Sequence, residues 1–277
     1  MENNKEILIS VCLVVYNEDK IIERCLNSIK DLADEIVLIH DGECNDKTLE
    51  IAKKFTDRIF IQPRTGDSSL HRVFSYNEAR GRWIFQIDAD EFIDQDAQPI
   101  IRNKIIEAEK KGINGFSFQW EMWDGKKAYA VKGFKKDCLF KKENFHYLGV
   151  THGWAYIDGK VEDSGLVLHH RPAYDNLSWE SFFRKAKRWV PIHAKFYFPN
   201  QVTYTGFNIG PEKWIKFTEK VKKNMIYYVI FEPIKMSLGQ LKNGLYLAFA
   251  GWQVAAQQYV YYTMLYWQVW KIKRKSK

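Results

Sequence analysis

The chain has 277 residues, 46% hydrophobic and 27% charged, enough for one substantial domain with an appendage or for two small domains. That balance excludes a disordered or repetitive chain. A formal net charge of +8 favours an anionic partner: nucleotide phosphates, nucleic acid or an acidic lipid surface.

The first hundred residues alternate between two hydrophobic periods. ILISVCLVVY (7–16) is a near-continuous apolar run, as in a strand buried on both faces. DKIIERCLNSIKDLA follows with a helical stripe of Ile21, Ile22, Cys25, Leu26 and Ile29. EIVLIH then reads as a strand, and DKTLEIAKKF as a helix opened by Asp46. RIFIQ, SSLHRVFSYNEAR and RWIFQI continue as strand, helix, strand, and DQDAQPIIRNKIIEAEKKG adds a helix. This repetition predicts an α/β fold, a mostly parallel central sheet flanked by helices. Beyond it INGFSFQWEMW, KAYAVKGF, DCLFKK and GLVLHH read as short strands between turns, and WESFFRKAKRWVPIHAKFYF as a helix. No linker separates the two halves, so they are expected to share one sheet.

The cysteines, Cys12, Cys25, Cys44 and Cys138, include no CxxC pair and suit reduced core thiols better than disulfides or a zinc site. The opening MENNKE lacks a basic start and apolar core, so a cytosol-facing protein is expected. Residues 244–270 contain no charge, yet their glutamines and tyrosines make them polar for a bilayer core. Two readings stay open there: a helix pair packed on the main domain, or an aromatic helix lying in the headgroup region, with the lysines that follow it.

Ligands of an open parallel sheet bind beyond the carboxyl ends of its strands. Polar residues collect at those ends: Tyr16-Asn17-Glu18, Asp41-Gly42-Glu43 and Asp88-Ala89-Asp90-Glu91. Each alone is ordinary turn chemistry; three on one sheet edge point to a ligand site. No GxGxxG or GxxxxGK[ST] follows a strand, so the dinucleotide and P-loop readings lose their main support. Asp88 and Asp90 alternate onto one side of an extended chain and require a positive partner. A hard divalent cation bridging to substrate phosphates would supply it.

The pattern SVCLVVYNE…LNSI…DEIVLIHDGECNDKT…GRWIFQIDADE resembles the family 2 glycosyltransferases, over at least Ile7–Asp94 and more weakly to about residue 195. It is most similar to their bacterial branch acting on lipopolysaccharide-core and related surface glycans. The resemblance implies the GT-A fold, with a nucleotide-binding half over 1–95 and an acceptor half over 96–200; the composition of 201–277 adds a C-terminal helical, membrane-associating segment as an expectation. It implies an inverting, metal-dependent transfer from a nucleotide-diphosphate sugar (a UDP-sugar), assisted by Mn²⁺ or Mg²⁺, to a glycan or lipid-linked acceptor. Tyr16, Glu18 and Asp41 are then expected at the nucleotide, Arg72 near the donor, Asp88 at the ribose or metal, and Asp90 on the metal. DGECNDKT replaces the usual Asp-Gly-Ser-Thr-Asp run, and Val73 follows Arg72 where an asparagine is usual.

A further departure concerns the catalytic base. GVTHG (149–153) matches a segment that ordinarily ends in a basic Glu, and Gly153 stands at that position. His152 and Asp158 become the catalytic candidates, with Glu162 and Asp163 nearby. Of His169 and His170, one is expected at the diphosphate or metal, His170 being the candidate, with Arg171 assisting. The expected location is cytoplasmic, peripheral on the inner face of the cell membrane. A donor-fold protein without turnover is the alternative from another class; nucleic acid is not an expected partner, because the basic residues are dispersed.

Overall fold

The computed structural model describes residues 7–150, 155–198, 206–242 and 249–275, with backbone only at 131–133. Strands β1 (Ile9–Val15), β2 (Glu35–Asp41), β3 (Ile59–Gln62) and β4 (Trp83–Gln86) alternate with helices α1 (Ile22–Ile29), α2 (Thr48–Ala52) and α3 (Ser68–Glu78). After the short β5 (Glu91–Phe92) come α4 (Ala97–Lys111), β6 (Ile113–Trp123) and β7 (Ala128–Lys141). A small hairpin, β8 (Phe145–Tyr147) and β9 (Ala155–Ile157), precedes β10 (Lys160–His170). Helices α5 (Trp179–Lys195), α6 (Glu212–Lys223), α7 (Met225–Lys242) and α8 (Phe249–Lys275) complete the chain.

The main sheet runs β3-β2-β1-β4-β7-β6-β10-β5. Strands β3, β2, β1 and β4 are parallel, β7 is antiparallel to β4 and β6, and β10 is parallel to β6. Both halves therefore share one sheet, as the missing linker implied. Strand order reverses between β1 and β4, so the gap beyond their carboxyl ends is the natural place for a ligand.

Alternate residues of the parallel strands serve opposite faces, which is why these strands read as unbroken apolar runs. Val11, Leu13, Leu38 and Phe85 pack with Leu26 of α1 and Ile101 of α4 on one face. Cys12, Val37, Ile39 and Ile84 pack with Val73 and Tyr76 of α3 on the other. All four cysteines are free thiols, and burial pushes Cys12 up to about 12.

Two expectations change. KAYAVKGF and DCLFKK form one strand, β7, because the shift in β6–β7 pairing between Gln119 and Glu121 lets both pieces pair along the same neighbour. Among the described residues of 244–270, α8 is a single helix rather than a pair. Leu265, Tyr266 and Val269 bury one side of it against Trp214 and Val221 of α6 and Tyr228 of α7.

Candidate functional site

The carboxyl ends of β1, β2, β4 and β10 open into a cleft of about 530 Å³ that α5 borders on its outer side. Tyr16, Glu18, Asp41, Arg72, Asp88, Asp90 and His170 all line it. Asp41 and His170 end β2 and β10, Tyr16, Glu18, Asp88 and Asp90 follow the ends of β1 and β4, and α3 carries Arg72.

Asp41 ends β2 with its carboxylate almost wholly enclosed. It accepts from the Thr65 amide (2.6 Å), the Gly66 amide (3.0 Å) and His71 Nε2 (2.9 Å), and pairs with Arg64. Burial alone would raise its pKa, but those donors hold it below the ordinary carboxylate range. The Arg64 guanidinium also lies 3.3 Å from the Tyr16 ring centroid. Gly42 makes room for this arginine, since its φ is +98° and an added Cβ would meet Arg64 Cβ at 3.0 Å. Asp41 thus shapes the loop that forms one wall of the cleft.

At the end of β4 the carboxylates acquire protein cations. Asp88 accepts from Arg72 (2.7 Å) and Lys136 (3.1 Å). Lys136 also reaches Glu91 at 2.6 Å, and Trp120 Nε1 donates to Glu91 at 2.6 Å. Burial opposes ionisation of Asp88, but Arg72 and Lys136 outweigh it and hold its carboxyl far below its usual value. Glu91, 1% exposed, is pushed up by burial and then by Asp88 and Asp90, with Lys136 working against both. The positive partner of Asp88 is therefore Arg72 and Lys136.

Asp90 is placed differently. Its side chain faces the cleft with His170 Nε2 3.3 Å away, an approach fixed by the antiparallel pairing of β5 with β10. His170 stacks on Trp120 (4.3 Å between centroids), and its Nδ1 is buried without a hydrogen-bond partner. His169 faces the opposite side of the strand, between Glu121 (2.8 Å) and Asp94 (3.2 Å), so the cleft takes His170 alone. Arg171 binds Glu121 at 2.6 Å, and its amide donates to the Asp90 carbonyl.

Glu18 lies across the cleft, where burial, then Asp90, Asp46 and Asp88, raises its pKa to about 7. Lys185, on α5, is driven down to about 8 by burial. Among the described residues no group of three or more His, Cys, Asp and Glu side chains could hold a metal ion unaided.

His152 lies outside the described residues. Asp158 sits in the turn after β9, paired with His146 at 2.8 Å, and is not among the residues that line the cleft. Glu162 and Asp163 pair with Lys160 and Lys135 on β10 and likewise stay outside its lining. The residue that sequence reasoning passed over is Lys136. It falls between KAYAVKGF and DCLFKK, yet it shares a strand face with the buried Cys138, and a lysine in phase with core positions signals a buried ion pair.

The family profile described as "Glycosyl transferase family 2" matches residues 10–163. An uncharacterized glycosyltransferase of Rickettsia bellii is 34% identical over 90 residues, 32% of this chain and 30% of that one. The SPbeta prophage-derived glycosyltransferase SunS of Bacillus subtilis is 37% identical over 172 residues, 60% of this chain and 35% of SunS. Across the curated relatives it matches, the chain spans 20–35% of their length. Among solved structures, residues 1–349 of S. aureus TarS align with 98% of this chain and 92% of that one, at 15% identity and a TM-score of 0.43. The profile match over more than half of the residues, on a mostly parallel α/β sheet of the GT-A kind, establishes that the chain belongs to glycosyl transferase family 2.

Proposed function

We propose that this protein transfers a sugar, with inversion, from a nucleotide-diphosphate donor, a UDP-sugar, to a glycan or lipid-linked acceptor of the bacterial surface-glycan type. The observation that carries the reading is the open Asp90–His170 pair beside a fully paired Asp88, at the switch point of a family 2 sheet. In this reading Tyr16, Glu18 and Asp41 form the nucleotide end of the cleft. Arg72 and Asp88 border the donor sugar and ribose.

The residues present fit a hard divalent ion whose remaining ligands are donor phosphate oxygens, since Mg²⁺ commonly takes one or two carboxylates plus phosphates. Asp90 and His170 would hold it, and when bound Mn²⁺ or Mg²⁺ supplies Lewis-acid stabilisation of the departing diphosphate. Asp88 is reserved for orientation, its charge already matched by Arg72 and Lys136. Arg188 of α5, anchored to the Gly66 carbonyl, adds positive charge over the cleft mouth. Asp158, Glu162 and Asp163 are held in ion pairs outside the cleft, which leaves His152 as the assigned base for the acceptor hydroxyl.

An acceptor near a membrane suits the surface of α7. Ile226, Ile230 and Ile234 recur at helical spacing and are exposed, with Tyr227, Phe231 and Leu238 beside them. Lys222, Lys223 and Lys273 cluster where α7 begins, a charge complement to anionic headgroups. Among the described residues no helix is long and apolar enough to cross a membrane. This reading places the protein on the inner membrane face.

A screen of nucleotide-sugar donors by nucleotide release, with Mn²⁺ and with acceptor-containing membrane extract, tests the proposal. Release is expected with one donor class, and Asp90→Ala is expected to lower it by about 10²-fold or more. Gly153 at the usual base position motivates the alternative, a donor-binding protein without turnover. Binding of UDP without release from any donor would establish that alternative.

A further inference from the structure

His170 lacks the contact that ordinarily orients an imidazole at a metal. Such rings are usually fixed by a hydrogen bond from the second nitrogen to a carboxylate, a carbonyl or a water. His170 Nδ1 is buried and has no hydrogen-bond partner among the described residues, so nothing on that side sets the angle of the ring. What lies against the imidazole is the indole of Trp120, with 4.3 Å between centroids and 28° between planes.

Three adjacent strands bring the indole there. In the sheet β10 runs between β6 and β5. Trp120 of β6 pairs with Leu168, two residues before His170, and Glu91 of β5 pairs with His170 itself, so all three side chains share one face. Rooted on β6, the indole reaches past β10 and donates from Nε1 to Glu91 Oε1 at 2.6 Å. Glu91 is a firm anchor, because a carboxylate offers about four acceptor positions and the protein fills them. Oε1 also accepts from Lys136 (2.8 Å), and Oε2 accepts from Lys136 (2.6 Å) and the Asp88 amide (2.9 Å). Phe134 tilts against the indole at 5.2 Å, but a chamber of about 280 Å³ between α5 and α8 also borders it. Packing alone would leave the indole a freedom that the bond to Glu91 removes.

We propose that Trp120 is a positioning residue of the donor site: its indole, anchored by Glu91, holds the His170 imidazole at the angle that aims Nε2 at Asp90 and at the cation the two would share. The proposal rests on the metal-assisted transferase reading above. Stacking supplies the orientation that no hydrogen bond at Nδ1 provides, because offset aromatic faces attract in a preferred geometry. An imidazole turned away from Asp90 would leave the cation one protein carboxylate and no nitrogen ligand. Trp120 itself touches neither donor nor metal in this role.

Carbon-13 relaxation of the histidine rings in the full chain tests this, with His170 assigned from the signal lost in His170→Gln. The ring is expected to be ordered in the parent and mobile on the nanosecond scale in Trp120→Leu, which removes the stacking face. Trp120→Phe keeps a face but loses the Nε1–H, and its effect should fall between the two. Mn²⁺ affinity in the presence of UDP, read by electron paramagnetic resonance, is expected to fall by about tenfold or more in Trp120→Leu and by less in Trp120→Phe. Unshifted indole signals from the other tryptophans certify the fold of each variant, and should the leucine variant fail to fold, the phenylalanine variant carries the same comparison. A His170 ring as ordered in the variants as in the parent overturns the proposal, as does unchanged Mn²⁺ affinity. A parent that binds UDP but no Mn²⁺ strikes instead at the metal reading, and the order of the ring alone then decides the role of Trp120.

Discussion

Lys136 stands between Glu91 at 2.6 Å and Asp88 at 3.1 Å, two carboxylates that would otherwise repel each other at the end of β4. Methionine at this position would keep much of the packing and strip the charge, leaving the buried Glu91 without its cation while Asp88 keeps Arg72, a change worth about 3–5 kcal/mol. Urea unfolding of Lys136→Met should show a loss in that range; a loss under about 1 kcal/mol would mean that solvent, not Lys136, stabilises the pair. Glu18 carries a pH signature. Its folded pKa, raised to about 7 from an ordinary 4.5 by burial and then by Asp90, Asp46 and Asp88, exceeds that of the unfolded chain. The stability it contributes is complete at low pH and is lost as pH rises through the folded value. Glu18→Gln should therefore melt like the parent below pH 4.5 and above it by a widening margin towards pH 8, with chelator present. A constant margin across that range would contradict the burial argument. Asp90 and Glu18 were legible from their strand ends, whereas the distinction between paired Asp88 and open Asp90 was not, because their partners arrive from later strands.

At the scale of elements, one side of α8 packs on the protein: it buries Leu265, Tyr266 and Val269 and is tied by Gln253 and Gln257 to the Leu177 carbonyl. Those glutamines are structural anchors, satisfied inside the protein. Exposed apolar side chains lie on both helices: Phe249, Trp252, Tyr259 and Trp267 on α8, and the Ile226, Ile230 and Ile234 row on α7. Replacing Ile230 and Phe231 together by glutamate should release the protein from phosphatidylglycerol vesicles in a flotation assay. Because both side chains are exposed, stability should change by no more than about 0.5 kcal/mol per site. Undiminished flotation would remove α7 as the contact. Deleting residues 244–277 tests something else, since it takes α8 out of the cluster that holds α6 and α7 together.

For the molecule as a whole, the alternation of periods 2 and 3.6 sufficed to order the parallel strands and helices of the first half, because both signals are local and repeat along the chain. Polar residues following three such strands then located the cleft, since parallel strands must end on one edge. The sequence by itself thus determined the sheet, its ligand-bearing edge and the candidates Tyr16, Glu18, Asp41, Asp88 and Asp90. Only the tertiary structure decided which cation meets which carboxylate, that His170 rather than His169 faces the cleft, and that α8 walls a chamber behind Trp120. The reason is physical: charge pairing and cavity shape depend on contacts between residues far apart in the chain, and hydrophobic periodicity carries no record of them.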